Sequence, residues 1–300
     1  MEIFIKNNSL ITKEEWEKLI LSLETDFNSL ETNKERAKRK LATEIEKSII
    51  SRAKNISKFG ILFSGGVDST LIAFLCKKHN IDFTCYTIGL ENSQDIEYSK
   101  RIAEKYSLKL KYKILTLEEF ESIIKETIQI LKTEEIVWVS VGSVVYATAK
   151  LALQDNVNTL FSGIGTEEIF AGYQRHEDSL SINDFESVHK ECWNGLKNMR
   201  ERDLLRDSKI ANHLKIELIT PYMDEELIKT AMQTHPMYKL DKEQKKIILR
   251  EIAEDFGLAK EFAQRKKKAA QYGSNFVKGI DKLAKKNGFK TKKEYLRSLL

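Results

Sequence analysis

The residues with the clearest chemical potential lie in one short segment, residues 64–69, which reads Ser-Gly-Gly-Val-Asp-Ser between two apolar runs. A strand, a glycine turn and a helix in this order present backbone N–H groups to a phosphate. The two glycines can take backbone angles closed to other residues, and they leave room for an oxyanion. The Asp68 carboxylate would repel phosphate unless a divalent cation lay between the two, because hard cations take oxygen ligands from both sides. The segment therefore predicts a site for a nucleotide phosphate and a cation, with candidate ligands Ser64, Gly65, Gly66, Asp68 and Ser69.

A second glycine turn follows a later apolar run. Residues 160–173 read Leu-Phe-Ser-Gly-Ile-Gly-Thr-Glu-Glu-Ile-Phe-Ala-Gly-Tyr. Taken alone, a Gly-x-Gly turn after a strand is weak evidence for a nucleotide site. The first turn does not fit the kinase-type phosphate loop, because it has no lysine after its glycines.

The elements that must position these turns alternate between strand and helix as far as about residue 180. The patterns predict strands at 1–6, 60–63, 83–88, 108–115 and 158–161, and helices at 13–23, 37–50, 71–76, 95–106, 117–131 and 138–153. Strands that alternate with helices predict a parallel α/β sheet, which binds ligands at the carboxyl ends of its strands. The strand signal then disappears, and a helical C-terminal half is predicted at 184–198, 225–232, 242–256 and 272–286.

Size and composition indicate a globular chain. Its 300 residues are 41% hydrophobic with only two prolines, and the net charge of +5 is mild. The three cysteines, Cys76, Cys85 and Cys192, are too scattered for a disulfide framework or a Cys-x-x-Cys site.

We find no 18-residue apolar span and no signal peptide, which predicts a cytoplasmic protein that does not cross a membrane. The basic clusters at 265–268 and 282–293 are more typical of a solvated helix face than of a nucleic-acid site.

Several motifs together resemble one known family. The first turn resembles the pyrophosphate-binding (PP) loop of the ATP pyrophosphatase superfamily. With the second turn, the chain resembles the synthetase domain of asparagine synthetases and β-lactam synthetases, whose second loop reads Ser-Gly-x-Gly-x-Asp-Glu-(Leu/Ile)-Phe-x-Gly-Tyr. Further matches follow in the family's order, at 86–90, 203–206, 220–224 and 243–250. The resemblance covers roughly residues 37 to 275.

The resemblance implies an α/β fold with a doubly wound parallel sheet, similar to the adenine nucleotide α-hydrolases. It implies an N-terminal extension at 1–36 and an ATP-binding domain at 37–300, with the α/β core at about 55–180 and a helical part at about 181–300. The implied reaction is amide formation with ATP and Mg²⁺. A carboxylate attacks the α-phosphate of ATP, pyrophosphate leaves, and an amine attacks the activated carbonyl.

The family's site residues map onto this chain by motif. The implied catalytic residues are Lys246, Asp203 and Arg206; the implied nucleotide-binding residues are Leu62, Ile88, Ser162, Gly163 and Gly165 together with the first turn; and the implied metal ligands are Asp68 and Glu167. Because both carboxylates follow strands at the same edge of a parallel sheet, we expect Asp68 and Glu167 to lie within metal-bridging distance of each other. The alternative for Lys246 is a solvated position in a lysine-rich helix.

Three departures from the family pattern bear on the reaction. Ile164 stands where asparagine synthetases have Glu and β-lactam synthetases have Tyr, and an aliphatic side chain cannot perform acid–base chemistry. We therefore expect poor asparagine synthesis from aspartate and ammonia, unless Asp203, Glu168 or a water substitutes. Glu167 replaces the family's metal-binding Asp, and Ile219 replaces an Arg. The form of the second loop, Gly-Ile-Gly-x-(Asp/Glu)-Glu…Ala-Gly-Tyr-x-Arg-His with His176, and the segment Lys-Ala-Ala-Gln-Tyr-Gly-Ser at 268–274 resemble a divergent branch, which includes the asparagine synthetase domain-containing proteins.

The amine source follows from a comparison with glutamine-dependent members, which begin with a Cys-led glutaminase domain. No cysteine precedes Cys76 here. We therefore expect the partners to be a small-molecule carboxylate and either ammonia or another amine, with ammonia supplied free or by a separate protein.

Three classes of function remain open from the sequence. The first is an ATP-dependent, AMP-forming amide ligase. The second is a tRNA-modifying enzyme that uses the same loop to adenylate a base, although the absence of a Cys pair counts against a thiolating version. The third is a nucleotide-binding partner subunit that has lost its chemistry, for which Ile164 is the best support.

Overall fold

Short apolar segments pair into a five-stranded sheet in the computed structural model, which describes residues 2–6, 9–180, 184–266 and 268–300. Met1 of the first predicted strand and Lys267 of the first basic cluster lie outside the described residues. The strands of the described chain are β1 (Ile5–Lys6), β2 (Ser9–Leu10), β3 (Gly60–Leu62), β4 (Thr84–Gly89), β5 (Leu110–Ile114), β6 (Thr159–Phe161) and β7 (Glu217–Ile219). The sheet has the order β5-β4-β3-β6-β7, and β1 and β2 form a separate antiparallel hairpin.

The chain divides into two compact units, each assembled from discontinuous segments. Unit 1 comprises Met1–Ile56, Gly163–Leu204 and Ile219–Gln264. Unit 2 comprises Ser57–Ser162, Leu205–Leu218 and Arg265–Leu300. These units do not follow the order of the chain, whereas the predicted boundaries at residues 36 and 180 do, and that sequential division stays a prediction.

Parallel pairing organises the sheet of unit 2. Strand β3 pairs in parallel with both β4 and β6, and β4 pairs in parallel with β5. The carboxyl ends of β3 and β6 therefore lie side by side, and each is followed by a glycine turn. The helices of this unit are Val67–Lys78, Gln94–Tyr106, Leu117–Leu131, Ile136–Leu153, Leu205–Leu214, Ala270–Gly273, Phe276–Lys286 and Lys292–Arg297. The predicted fold class, a parallel sheet with surrounding helices, is confirmed.

The core of unit 2 forms where amphipathic helices cover the sheet. Helix Leu117–Leu131 buries Phe120, Ile124 and Ile128 in one cluster with Ile88 of β4. These side chains pack in one cluster because apolar residues spaced three or four apart lie on one face of a helix. Each fully buried side chain of this size contributes about 1.5–3 kcal/mol.

Helix Ile136–Leu153 overturns one expectation from the sequence. It is an 18-residue span with a mean hydropathy of 1.6, so the prediction that no such apolar span exists was wrong. By length and composition it could cross a membrane, but 61% of it is buried inside the protein. That burial is the pattern of a core helix, whose apolar surface is covered by protein.

Unit 1 consists mostly of helices and also contains the short β1–β2 hairpin. Its helices are Lys13–Leu23, Lys34–Ala53, Thr166–Ile169, Gln174–Ser179, Phe185–Met199, Glu225–Gln233, Ile247–Asp255 and Lys260–Ala263, with 3₁₀ turns at Phe27–Ser29, Pro221–Met223 and Pro236–Tyr238 and a π turn at Arg200–Leu204. Distant segments are joined by specific bonds. For example, the indole N–H of the buried Trp16 donates to the carbonyl oxygen of Leu196 at 3.0 Å.

Three predicted boundaries in the C-terminal half were wrong. Strand β7 lies beyond residue 180, where no strand was expected; with three residues it carries too little pattern to detect. The helix predicted at 242–256 begins only at Ile247, because the Asp241 side chain accepts from the backbone N–H groups of Glu243 and Gln244 and holds a turn instead. The helix predicted at 272–286 is broken at Asn275, which has a left-handed backbone with φ of 64°.

Candidate functional site

The first turn joins β3 to helix Val67–Lys78 in unit 2. Gly65 has a φ of +66°, which places it in the left-handed region that glycine tolerates. Gly66 is the N-cap of the helix and has no side chain to cover the N–H groups of the first turn. Those N–H groups and the positive end of the helix dipole make this turn suitable for an anion.

The polar side chains of this turn are buried within the helix start. Asp68 and Ser69 lie in the first helical turn and are 9% and 5% exposed. The Ser69 hydroxyl accepts from the backbone N–H of Ser64 at 3.4 Å and donates to the carbonyl of Gly66 at 3.4 Å. The structure therefore brings the five candidate residues of the first turn together in one loop. Leu62 and Ile88, the candidates beside it, lie on the neighbouring strands β3 and β4 and belong to one apolar cluster.

Arg265 supports the first turn, although its sequence context suggested a solvated cluster. Its side chain is only 4% exposed, and Nη1 donates to the carbonyl of Ser64 at 2.9 Å. Nη2 donates to the buried carboxylate of Asp95 at 3.2 Å, and the guanidinium lies 3.8 Å from the ring centre of Tyr98. Burial of the guanidinium lowers the pKa of Arg265, and the charge of Asp95 opposes that shift.

The second turn leaves β6 through Ser162 and enters unit 1 at Gly163. Gly165 has a φ of +99°, and a Cβ there would lie 2.5 Å from the Met223 sulfur. Only glycine fits this position, for both backbone and packing reasons. The Thr166 hydroxyl donates to the carbonyl of Gly163 at 3.0 Å and closes the turn.

Lys246 reaches the second turn from 79 residues away in sequence. Its Nζ donates to Glu167 Oε1 at 2.8 Å and to Thr166 Oγ1 at 3.1 Å. Lys246 is 5% exposed and has a left-handed backbone with φ of 58° before the helix Ile247–Asp255. The alternative of a solvated lysine in a helix is therefore wrong. Gly172 packs against this ion pair, since a Cβ there would overlap with Glu167 Oε2 and Lys246 Cε.

A second network of charged residues involves Glu168, which follows Glu167 in the second turn. Arg202 forms ion pairs with the buried Glu168 and, at 2.6 Å, with Asp203, and it donates to the Tyr173 hydroxyl at 3.2 Å. Desolvation, and next the charge of Asp203, raise the pKa of Glu168 to about 7, although Arg202 opposes the shift. Burial also raises the pKa of the Tyr173 phenol. A carboxyl group with a pKa near 7 can both release and accept a proton close to neutral pH.

Asp203 and Arg206, the other two predicted catalytic residues, lie in different units. Asp203 pairs with Arg202 in unit 1, as described above. Arg206 belongs to helix Leu205–Leu214 in unit 2, where its buried guanidinium donates to Asp207 at 2.7 Å. The catalytic roles of Asp203 and Arg206 stay predictions.

The carboxylates of the candidate site can be compared with the ligands that Mg²⁺ prefers. Among the described residues, no group of three or more His, Cys, Asp and Glu side chains could hold a metal ion. Mg²⁺ is usually held by one or two carboxylates together with substrate phosphates and waters, so single carboxylates such as Asp68 and Glu167 fit this ion. Because Asp68 and Glu167 belong to different units, the expected bridge between their carboxylates stays a prediction.

Sequence reasoning missed Arg265, Asp95 and Arg202. Arg265 begins a run of lysines, and such runs are mostly solvated, so nothing in the pattern separates it from its neighbours. Asp95 has the local pattern of an acidic residue in a first helical turn. Arg202 stands beside the predicted Asp203, and that adjacency of opposite charges was the one available signal.

Comparison with known proteins agrees with the motif order. The family model described as asparagine synthase matches residues 40–188 and 182–294. A protein of Methanocaldococcus jannaschii with the provisional name glutamine-hydrolyzing asparagine synthetase 1 is 32% identical over 305 residues, covering 89% of this chain and 56% of the relative. Glutamine-hydrolyzing asparagine synthetase 3 of Arabidopsis thaliana is 26% identical, covering 65% of this chain and 35% of the relative.

The chain spans about half the length, or less, of these curated relatives. A solved structure of ammonia-dependent NAD synthetase from Campylobacter jejuni covers 89% of this chain and 93% of its own length at 13% identity, but its TM-score of 0.39 is too low to carry an argument. The family model by itself matches far more than half of the chain. The chain therefore belongs to the asparagine synthase family.

Proposed function

We propose that this chain is an ATP-dependent, AMP-forming amide ligase, which adenylates a small-molecule carboxylate and transfers the acyl group to ammonia or another amine. The observation that carries the proposal is the pairing of Lys246 with Glu167 and Thr166 at the second turn. Lys246 and Glu167 are 79 residues apart in sequence, and the family resemblance implies a role for each of them, so their pairing supports the proposal.

Each group has a role that suits its chemistry. The N–H groups after Gly65 and Gly66 bind phosphate oxygens and stabilise the charge that develops on the leaving pyrophosphate. Asp68 and Glu167 would hold Mg²⁺, which supplies charge neutralisation on the phosphates when bound. Lys246 offers an ammonium whose position is fixed by Glu167 and Thr166 and which can neutralise negative charge in the transition state.

Proton handling during amine attack needs a group other than Ile164. We propose Glu168, because its carboxyl group is buried and its pKa is raised to about 7. Arg202 pairs with that carboxyl group and with Asp203, whose negative charge raises the pKa of Glu168 while Arg202 opposes the shift. The amine is ammonia or a larger amine, and a separate ammonia-supplying protein is compatible with this proposal.

The test is the identity of the nucleotide product. Purified protein is incubated with Mg²⁺-ATP, a panel of carboxylates and ammonium or an amine, and the products are separated by chromatography. We expect AMP and pyrophosphate in amounts that depend on one carboxylate, and ATP–pyrophosphate exchange with that carboxylate alone. AMP formation only in the presence of RNA would favour the tRNA-modifying class. No AMP with any carboxylate would overturn the proposal in favour of a subunit without chemistry.

A further inference from the structure

The carbonyl oxygen of Ser64 would repel an anion bound at the first turn if it faced that anion. Backbone carbonyls carry partial negative charge, so a loop that binds phosphate must turn its carbonyls away from the ligand while its N–H groups face it. Ser64 immediately precedes the left-handed Gly65, and its carbonyl direction fixes how the following peptide group is presented. Whatever holds this carbonyl therefore sets the geometry of the turn.

Arg265 holds that carbonyl. Its Nη1 donates to the Ser64 oxygen at 2.9 Å across a sequence separation of 201 residues. The same guanidinium also lies against Gly65, since a Cβ there would be 3.0 Å from Nη1. A planar guanidinium can make both contacts because it presents several donors in a fixed arrangement.

Arg265 is itself fixed from two sides. Nη2 donates to Asp95 at 3.2 Å, and the guanidinium lies over the ring of Tyr98 at 3.8 Å. Asp95 and Arg265 are both almost fully buried, with side-chain exposures of 5% and 4%. A buried ion pair of this kind adds little to net stability, because the cost of removing both charges from water offsets most of their attraction.

Asp95 is in turn packed against glycine. A Cβ at Gly273 would overlap with the Asp95 carboxylate, so the backbone approaches this side chain closely. The same region is tied to the turn after β4, because Ser93 Oγ donates to the Gly273 carbonyl at 3.0 Å and the Leu90 N–H donates to the Ser274 carbonyl at 2.9 Å.

We propose that Arg265 is a positioning residue for the first turn, with Asp95 as its anchor, and that the pair holds the Ser64 carbonyl away from the bound phosphate. The inference deepens the proposed function and rests on it for the identity of the ligand, an ATP phosphate. Because Asp95 neutralises the guanidinium, Arg265 acts through loop geometry and not by adding charge to the site.

The first measurement uses nucleotide-free protein. Hydrogen–deuterium exchange is followed on peptides that contain residues 64–69 in the wild type, Arg265→Met and Arg265→Lys. The matched control is Lys266→Met, an exposed cation at the next position. We expect Arg265→Met to speed exchange of the turn amides about tenfold or more, because the turn opens locally without the protein unfolding. We expect Lys266→Met to leave the exchange rates unchanged.

The second measurement is calorimetric binding of Mg²⁺-ATP. Arg265→Met should weaken binding about tenfold, and Arg265→Lys should recover part of the loss because a lysine can reach one partner but not both. Asp95→Asn should give the same faster exchange as Arg265→Lys. If Arg265→Met does not fold, the comparison of Arg265→Lys with Lys266→Met decides, and a loss of at least about threefold in affinity is expected from the lysine variant.

Two results would separate the two proposals. Folded Arg265 variants whose turn exchanges and binds like Lys266→Met would overturn the positioning role even if the enzyme makes AMP. Faster exchange in the variants of a wild type that makes no AMP would keep the positioning role and reject the ligase.

Discussion

The ion pair between Lys246 and Glu167 fixes the position of a positive charge before any ligand binds. The ammonium is buried, and two oxygens hold it at 2.8 and 3.1 Å. Glu167 is 37% exposed at its side chain, so this carboxylate can also face a ligand. A charge that is oriented before the reaction needs no reorganisation when the transition state forms.

Replacing Lys246 with Met should therefore reduce the rate of AMP formation on the order of 100-fold while ATP affinity changes much less, because the lost interaction belongs to the transition state. Steady-state kinetics with pyrophosphate detection measures both quantities. Lys242→Met is the control, since Lys242 is an exposed lysine in the same segment. Equal kcat values for the two variants would remove Lys246 from the reaction.

Substitution of Ile164 can show whether aspartate is the carboxylate that the enzyme uses. This residue is half-buried at the second turn and cannot carry a proton. Glu168 is proposed to handle the proton for the enzyme's own substrate, and we expect it to serve aspartate poorly because it occupies a different position of the turn from residue 164. The wild type should therefore make asparagine from aspartate, ATP and ammonium far more slowly than the roughly 1 per second or faster that is normal for an enzyme. Asparagine is measured by amino-acid analysis beside Ile164→Glu.

Asparagine formation by the wild type at a normal rate would show that Ile164 is no obstacle, and aspartate would then be the substrate. A gain only in the Glu variant would mean that adenylation is intact and that the natural acceptor is different.

At the scale of elements, the second turn depends on short segments with constrained backbones. Gly165 and Ala171 both have positive φ, at 99° and 53°, and they enclose the four-residue helix Thr166–Ile169. The Gly172 N–H then donates to the Glu167 carbonyl at 2.8 Å. A helix this short is fixed by its flanking turns, because it is well below the length at which a helix is stable by itself.

Gly172→Ala should leave the protein folded but displace the ion pair, since the added methyl group would overlap both Glu167 and Lys246. The rate of AMP formation should fall about 100-fold, the size of effect that a misplacement of about 1 Å produces. Lys242→Met is the control in the same unit, because Lys242 is exposed. Equal activities of the two variants, measured at matched far-UV circular dichroism, would contradict the packing argument.

At the scale of the whole molecule, the burial of Lys239 in unit 1 carries a cost to stability. Lys239 is fully buried, and its ammonium donates to a weak acceptor, the Met232 sulfur, at 3.9 Å. Burial lowers the pKa of Lys239 to about 8, and Cys192 only partly opposes this. The charge of Lys239 contributes in turn to lowered pKa values at His176, His189 and His235.

The stability of the protein should depend on pH through Lys239. Below pH 8 both the folded and unfolded chains carry the charge, and burial costs its full amount. Between about pH 8 and 10.5 the folded protein releases this proton while the unfolded chain keeps it, so this cost decreases as the pH rises. Lys239→Met should therefore be more stable than the wild type at pH 7 by up to about 3 kcal/mol, with the gap closing towards pH 10.5.

Urea denaturation at pH 7 and at pH 9.5 measures that gap, with the exposed Lys242→Met as reference. A wild type more stable than Lys239→Met at pH 7, or a gap that does not change with pH, would contradict the assignment of the cost to a buried charge.

The sequence by itself determined the strand–turn–helix around residues 64–69, the parallel α/β class and the family. These features are local or periodic: glycine freedom, apolar runs and helical spacing act within about ten residues and need no distant partner. Motif order was enough to single out Lys246 and Glu167, although not their contact. The alternation of strands and helices was enough for the sheet, although not for the three-residue strand β7.

The tertiary structure alone decided which charges are buried and what they touch. Lys246 meets Glu167 across 79 residues, Arg265 meets Ser64 across 201, and the buried Lys239 ammonium meets the Met232 sulfur. In the sequence each of these is one more cation among 50 lysines and arginines. Desolvation and hydrogen bonding distinguish them, and both depend on packing between segments far apart in the chain, which no local pattern encodes.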